Sequence, residues 1–131
     1  MSDSPGSTVR QFLAAWTEPD PDVLAGFLSD DAVWVDGPQG VRRGAPAIVE
    51  ELASQLAICR GMTPEIATLV ADGGTVMVEW HGGWTMGGKR ISTTVMAVFE
   101  VSEGRIDQMR EAYDLQSVLD QMEAAGADVP R

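Results

Sequence analysis

The sequence predicts an α+β fold: a curved antiparallel sheet wrapped around N-terminal helices, forming a cone with an open pocket. Three observations carry this. Val9, Phe12, Leu13 and Trp16 recur at helical spacing near the start. From residue 65 the period changes to two and holds through "EIATLVA", "TVMVEWHGGWTM" and "KRISTTVMAVFEV". Gly82 and Gly83 interrupt the middle strand, where missing side chains let a sheet bend. Helices grouped ahead of an antiparallel meander fit a layered α+β domain, and a sheet curled over them leaves its wide end open.

The elements follow in chain order. "EPDPD" ends the first helix, and Asp20 with Pro21 starts a second that buries Leu24, Phe27 and Leu28. "DAVWVD" reads as a strand and "GPQGVRRG" as a loop. A third helix starts near Pro46, with Ile48, Val49, Leu52 and Leu56 inward, and stops before Gly61 and Pro64. Four strands come next, the last being "RIDQMREAYD". A closing helix places Leu115, Val118, Leu119 and Met122 on one stripe. Residues 1–7 read as a disordered lead, 8–125 as a single domain and 126–131 as a tail.

Twenty acidic residues against nine basic ones give a net charge of −11. Such a chain repels phosphate backbones, so nucleic acid and anionic membranes are poor partners. No apolar run reaches membrane-spanning length and no secretory leader is evident, which makes a cytoplasmic location the expectation. One histidine, His81, and one cysteine, Cys59, cannot assemble a zinc site unaided, so neither metal nor cofactor is expected. Cys59 falls on the apolar side of the third helix and reads as a structural thiol.

Strand alternation sorts the side chains into faces. Ala32, Trp34 and Asp36 share one; Val76, Val78, Trp80, Gly82 and Trp84 share another; Thr93, Val95, Ala97 and Phe99 a third. In the last strand, Arg110, Ala112 and Asp114 lie opposite Met109, Glu111 and Tyr113. Met77, Val98, Met109 and Tyr113 make an apolar outer face, and with it a homodimer through the sheet is expected.

The element order and the closing "FEVSEGRIDQMREAYDL" resemble the nuclear-transport-factor-2-like superfamily, in particular its limonene-epoxide-hydrolase and polyketide-cyclase (SnoaL-like) branches, over about residues 8 to 122. The resemblance implies that the sets holding Trp34, Trp80, Ala97 and Asp114 line the cavity. Phe12, Trp16, Trp34, Trp80, Trp84, Val95 and Ala97 then form an apolar substrate surface, suited to a bulky, neutral, polyketide-like molecule.

Three chemistries of these relatives can be compared with the residues. Ketosteroid isomerases match at Asp36 as base, but their enolate-holding positions correspond to Phe12 and Ala97, which donate nothing. Limonene epoxide hydrolases match at Asp114, but their central Arg-x-Asp corresponds to Trp80 and Gly82. Polyether-pathway epoxide hydrolases rest on an acid pair that corresponds to Asp36 and Glu65. In an apolar cavity such a pair cannot ionise twice, so one acid keeps its proton while the other acts as base. The expectation is therefore an epoxide-opening cyclase, without metal or cofactor, using Asp36 as base and Glu65 as acid, with Asp114 as an auxiliary. A polyketide cyclase or dehydrating pyran-forming enzyme, and a non-catalytic container for an apolar ligand, are the rival readings. Turn formation is the ordinary role for Asp36, solvent exposure for Glu65 and helix capping for Asp114.

Overall fold

The computed structural model describes residues 4–129. Helix α1 (Pro5–Ala14) opens at Ser4, whose hydroxyl accepts from the Ser7 amide at 3.1 Å. The helix thus reaches into the stretch expected to be an unstructured lead, because Ser4 and Pro5 together form a good N-terminus. Helix α2 (Pro21–Gly26) is capped by Asp20. Strand β1 (Leu28–Asp36) and a short β2 (Gly40–Arg43) lead to helix α3 (Ala45–Ile58). Strands β3 (Glu65–Asp72), β4 (Thr75–Met86), β5 (Lys89–Ser102) and β6 (Arg105–Tyr113) follow, and helix α4 (Leu115–Ala124) comes last.

One six-stranded sheet runs β2-β1-β6-β5-β4-β3. It is mixed rather than wholly antiparallel: β1 and β6 lie parallel, with Asp36 beside Glu111 and Val35 beside Arg110. The long excursion through β2, α3 and strands β3, β4 and β5 lets the chain return in the same direction as β1. "GVRR", expected in a loop, pairs with β1 as a hairpin. The core fills the concave side, where α1, α3 and the sheet bury Val9, Phe12, Leu13, Leu24, Ile48, Leu52 and Phe99. No helix among the described residues is long and apolar enough to cross a membrane.

Strand β6 contains the feature that matters most for the site. Val101 pairs with Ile106 but Glu100 with Gln108, so Asp107 is an extra residue. A one-residue slip exchanges the faces of everything beyond it. Ile106 and then Met109 point inward, followed by Glu111 and Tyr113. Ala112 is exposed, and Arg110 turns outward to pair with Glu100 at 3.2 Å. The face of β6 expected to line the cavity is therefore the outer one, and Met109, expected outside, is buried.

Candidate active site

Asp36 ends β1 and is fully buried. The chain after it must turn at Gly37, where a Cβ would stand 2.4 Å from the Glu111 carbonyl oxygen. Glycine there lets the Gly37 amide bond that carbonyl at 3.0 Å and clamp the ends of β1 and β6 together. Strand β1 thus ends in a turn at Asp36-Gly37-Pro38, and the same turn holds a carboxylate inside the protein.

Three side chains donate to Asp36. The Tyr113 hydroxyl reaches Oδ1 at 2.8 Å, and the Gln55 and Gln39 amides reach Oδ2 at 3.1 and 3.2 Å. Gln39 also donates to the Tyr113 oxygen at 2.5 Å. Behind them, Gln55 donates to Glu51, which pairs with Arg42 at 3.2 Å. A buried carboxylate surrounded by donors is the expected way to hold its charge away from water.

Glu111 sits beside Asp36 on the neighbouring strand and is also buried. The Trp34 indole donates to its Oε1 at 2.7 Å. Burial, and then the negative charge of Asp36, push the Glu111 carboxyl up to about 8, against a smaller downward pull from the Trp34 bond. Near neutrality this acid keeps its proton. The Tyr113 phenol is pushed well above its ordinary range, first by burial and then by Asp36.

These groups border a cavity of about 200 Å³. Glu111, Tyr113, Gln39 and Gln55 form its polar corner, while Trp16, Trp80, Trp84, Met62, Leu52 and Val95 supply apolar wall. Helix α4 adds Leu115, Val118, Leu119 and Met122. Asp36 stands one layer back, behind Tyr113 and the two glutamines. A Cβ on Gly82 would fall 2.7 Å from the Trp80 ring and 2.8 Å from the Met62 sulfur, so glycine makes room for both side chains.

The residues expected from sequence divide into three groups. Trp16, Trp34, Trp80, Trp84 and Val95 are on the cavity wall. Phe12 and Ala97 are buried outside that wall, Phe12 in ring contact with Trp16, Phe27 and Phe99. Glu65 and Asp114 are exposed. The pairing of Asp36 with Glu65 is not made: β3 lies at the far edge of the sheet, with β6, β5 and β4 between it and β1, and Glu65 faces His81 across the β3–β4 ladder. Asp114 caps α4, accepting from the Ser117 amide at 2.9 Å. The acid beside Asp36 is Glu111. One signal for it was available, since Met109, Glu111 and Tyr113 form the more apolar set of β6. Gln55 shows a similar signal, as a polar residue one turn from Leu52 on the inward stripe of α3. Cys59 lines the cavity with its thiol pushed up to about 11 by burial, as suits an inert group. Among the described residues, no cluster of histidine, cysteine or carboxylate side chains is arranged to hold a metal ion.

A curved sheet over helices, with Asp36 and Glu111 buried side by side at the edge of an apolar cavity, defines a cone-shaped α+β fold with an internal pocket. The chain belongs to the family described as the SnoaL-like domain, whose model matches residues 9–109. It is 29% identical over 110 residues to epoxide hydrolase EphG of Mycobacterium tuberculosis, covering 82% of this chain and 71% of the relative. A solved structure described as an M. tuberculosis LEH-like epoxide hydrolase superposes with a TM-score of 0.77 at 26% identity, covering 92% and 90% of the two chains. A hypothetical protein with a ketosteroid-isomerase-like fold from Catenulispora acidiphila, solved with trimethylamine, matches in fold with a TM-score of 0.80 at 23% identity, over 93% and 97% of the two chains.

Proposed function

We propose that this protein opens epoxides on compact apolar substrates, with Glu111 as the acid and the Tyr113–Asp36 couple as the route to the base. The observation that carries this reading is a buried carboxyl on the cavity wall, Glu111, beside a second carboxylate that accepts three hydrogen bonds; burial and that neighbouring charge push the Glu111 carboxyl up to about 8. Glu111 gives its proton to the epoxide oxygen as the C–O bond breaks. A water or substrate hydroxyl attacks the carbon and passes its proton to the Tyr113 oxygen, while the Tyr113 proton moves to Asp36. One proton has then left Glu111 and one has reached Asp36, and its return resets the site. General acid–base assistance of this kind contributes roughly 10²–10⁴-fold per group.

At about 200 Å³ the cavity is smaller than the ~300–1,000 Å³ of pockets for drug-sized ligands. It holds a small molecule or one segment of a longer chain that enters past Ile58, which is exposed and also borders the cavity. The mostly apolar wall keeps competing water scarce, which favours attack by the substrate's own hydroxyl and a cyclic-ether product of the kind made in polyether biosynthesis. Acid chemistry on a carbonyl or enone would use the same donor but would leave the Tyr113–Asp36 route idle. A passive container would be destabilised by two buried acids without any gain.

The test is to give purified protein a terminal epoxide with and without an internal hydroxyl, beside a matched enone. Epoxide turnover lost in both Glu111→Gln and Asp36→Asn, with the fold retained, supports the proposal. Turnover of the enone alone, or full epoxide activity in both variants, overturns it.

A further inference from the structure

Asp36 presents its two oxygens to different neighbours. Oδ1 accepts from the Tyr113 hydroxyl at 2.8 Å, whereas Oδ2 accepts from the Gln55 and Gln39 amides at 3.1 and 3.2 Å. A carboxylate oxygen has two lone pairs, so Oδ2 is filled and an incoming proton is left with Oδ1. The arrangement depends on which way round the Gln55 amide stands. Its Nε2 donates to Glu51 Oε1 at 3.2 Å as well as to Asp36, so both of its hydrogens point at carboxylates. Turned over, the amide would set its own oxygen against Glu51, acceptor facing acceptor, and would offer an acceptor to Asp36 Oδ2. Glu51 is itself held. Arg42 Nη2 lies 3.2 Å from its Oε1, and Arg42 Nη1 donates to the Gln39 main-chain carbonyl at 3.2 Å. Contacts thus close a ring from Asp36 through Gln55, Glu51, Arg42 and Gln39 back to Asp36. Helical spacing puts Glu51 and Gln55 on one face of α3, and the β1–β2 hairpin supplies Arg42.

We propose that Glu51 is a positioning residue: held by Arg42, it locks the Gln55 amide nitrogen-first toward Asp36 and so confines any proton on Asp36 to Oδ1. The role rests on the proposed function, in which Asp36 receives its proton from Tyr113 and must give it back. Without the lock, Gln55 can turn over once Asp36 is protonated, accept from Oδ2 and retain the proton away from Tyr113. The site then resets slowly. Neither Glu51 nor Arg42 borders the cavity, so both act through Gln55 and Gln39 rather than on the substrate. Both side chains are partly exposed, and an ion pair of this kind adds little stability, which leaves orientation as its contribution. The charged and titratable groups placed around Asp36 are Glu111 and Tyr113 on β6, Glu51 on α3 and Arg42 on β2.

Tyr113 is the only tyrosine in the chain and donates to Asp36, so a carbon-13 label at its phenolic carbon reports on that carboxylate without turnover. The label is followed by NMR while the full chain is acidified from neutrality, in wild type, Glu51→Met and Glu51→Gln. Asp36→Asn identifies the part of the change that belongs to Asp36. Methionine takes the acceptor away; glutamine keeps an acceptor oxygen and loses only the charge. Removing a negative neighbour by itself favours an ionised carboxylate, and would move the acid-induced change to lower pH in both variants. The lock predicts the opposite for Glu51→Met: a move upward by about half to one pH unit, the worth of one hydrogen bond. Glu51→Gln should not rise above wild type. A downward move or no move in Glu51→Met overturns the proposal, and so does an upward move of equal size in both variants. Because no substrate is present, a chain without epoxide turnover would overturn the proposed function and leave this result standing.

Discussion

The cavity joins two unlike regions of one sheet. Its β1–β6 corner is polar and internally paired: Asp36 has three donors, Glu111 has Trp34, and Tyr113 both gives and accepts. Its β4 wall is aromatic, and its indole donors are unpaired. Asp36, Glu111 and Trp34 are buried in the one, Trp80 and Trp84 in the other, so burial alone does not distinguish a reactive region from an apolar wall. The difference lies in where charge can sit. In the corner, burial and then the charge of Asp36 push the proton affinity of Glu111 upward, whereas the indoles of the wall carry no charge.

The sharpest way to break this contrast is to remove the proton donor. Glu111→Gln keeps the bond from Trp34, because its amide oxygen can still accept, yet it cannot release a proton. Epoxide opening should fall by roughly 10²–10⁴-fold in initial-rate assays. Glu65→Gln, exposed on β3, should stay within about 2-fold. A comparable loss in both variants would erase the distinction between corner and periphery.

The wall should respond in stability rather than rate. Trp80 is buried against Trp16 and borders Gly82. Trp80→Ala should cost about 3–5 kcal/mol in urea unfolding. The milder Trp80→Phe should keep most of that stability.

A third prediction concerns pH. Glu111 holds its proton up to about 8 in the folded chain, whereas an unfolded glutamate releases it near ~4.3. Between these values the native state binds more protons than the unfolded one, so stability falls as pH rises through the window and levels off above about 8. Chemical denaturation at pH 4.5, 6.5 and 8.5 should show a decline for the wild type of a few kcal/mol, and a flatter profile for Glu111→Gln. Activity should decline on the alkaline side near the same value. Trp34→Phe removes the bond that lowers the Glu111 value and should move that alkaline limb upward by a fraction of a pH unit. A downward shift would show that Trp34 acts some other way.

Much of the fold was legible because it rests on periodicity. Ala32, Trp34 and Asp36 do share an inward face, as do Val76, Val78, Trp80 and Trp84, and the switch from helical to alternating spacing marks the sheet near Glu65. Strand β6 was not legible in the same way, because the extra residue at Asp107 shifts its register. That shift is a property of pairing with β5, which a single strand's sequence does not display. The site was hidden with it: the resemblance implied that the set of Arg110, Ala112 and Asp114 faces inward, which made Glu111 an outer residue, and the acid pair of the polyether-pathway relatives pointed to Glu65 as the partner of Asp36. Pairing β3 with β1 also required knowledge of strand order, which depends on contacts distant in sequence. Strand β2 was missed because "GVRR" is short and largely exposed, without the alternation that a half-buried strand shows.

The smallest expected effect on chemistry lies on the other side of the sheet. Val70, Met77 and Met96 are each more than half exposed there, on a surface that also carries the Arg110–Glu100 ion pair and Glu79, which accepts from the Thr68 hydroxyl at 3.3 Å. Apolar side chains gathered on one sheet face fit pairing with a second copy, and we propose a homodimer through this surface. Met77→Glu places like charges opposite each other across a two-fold axis and should convert dimer to monomer in light scattering. Met77 pairs with Val98 and Val70 in the ladder, and none of the three borders the cavity. Epoxide turnover per chain should therefore stay within about 2-fold of wild type. A monomeric wild type would remove the dimer. A dimer whose dissociation abolishes turnover would instead mean that the outer face supports the corner, because Arg110 and Glu111 are consecutive and a shift in β6 would carry from one face to the other.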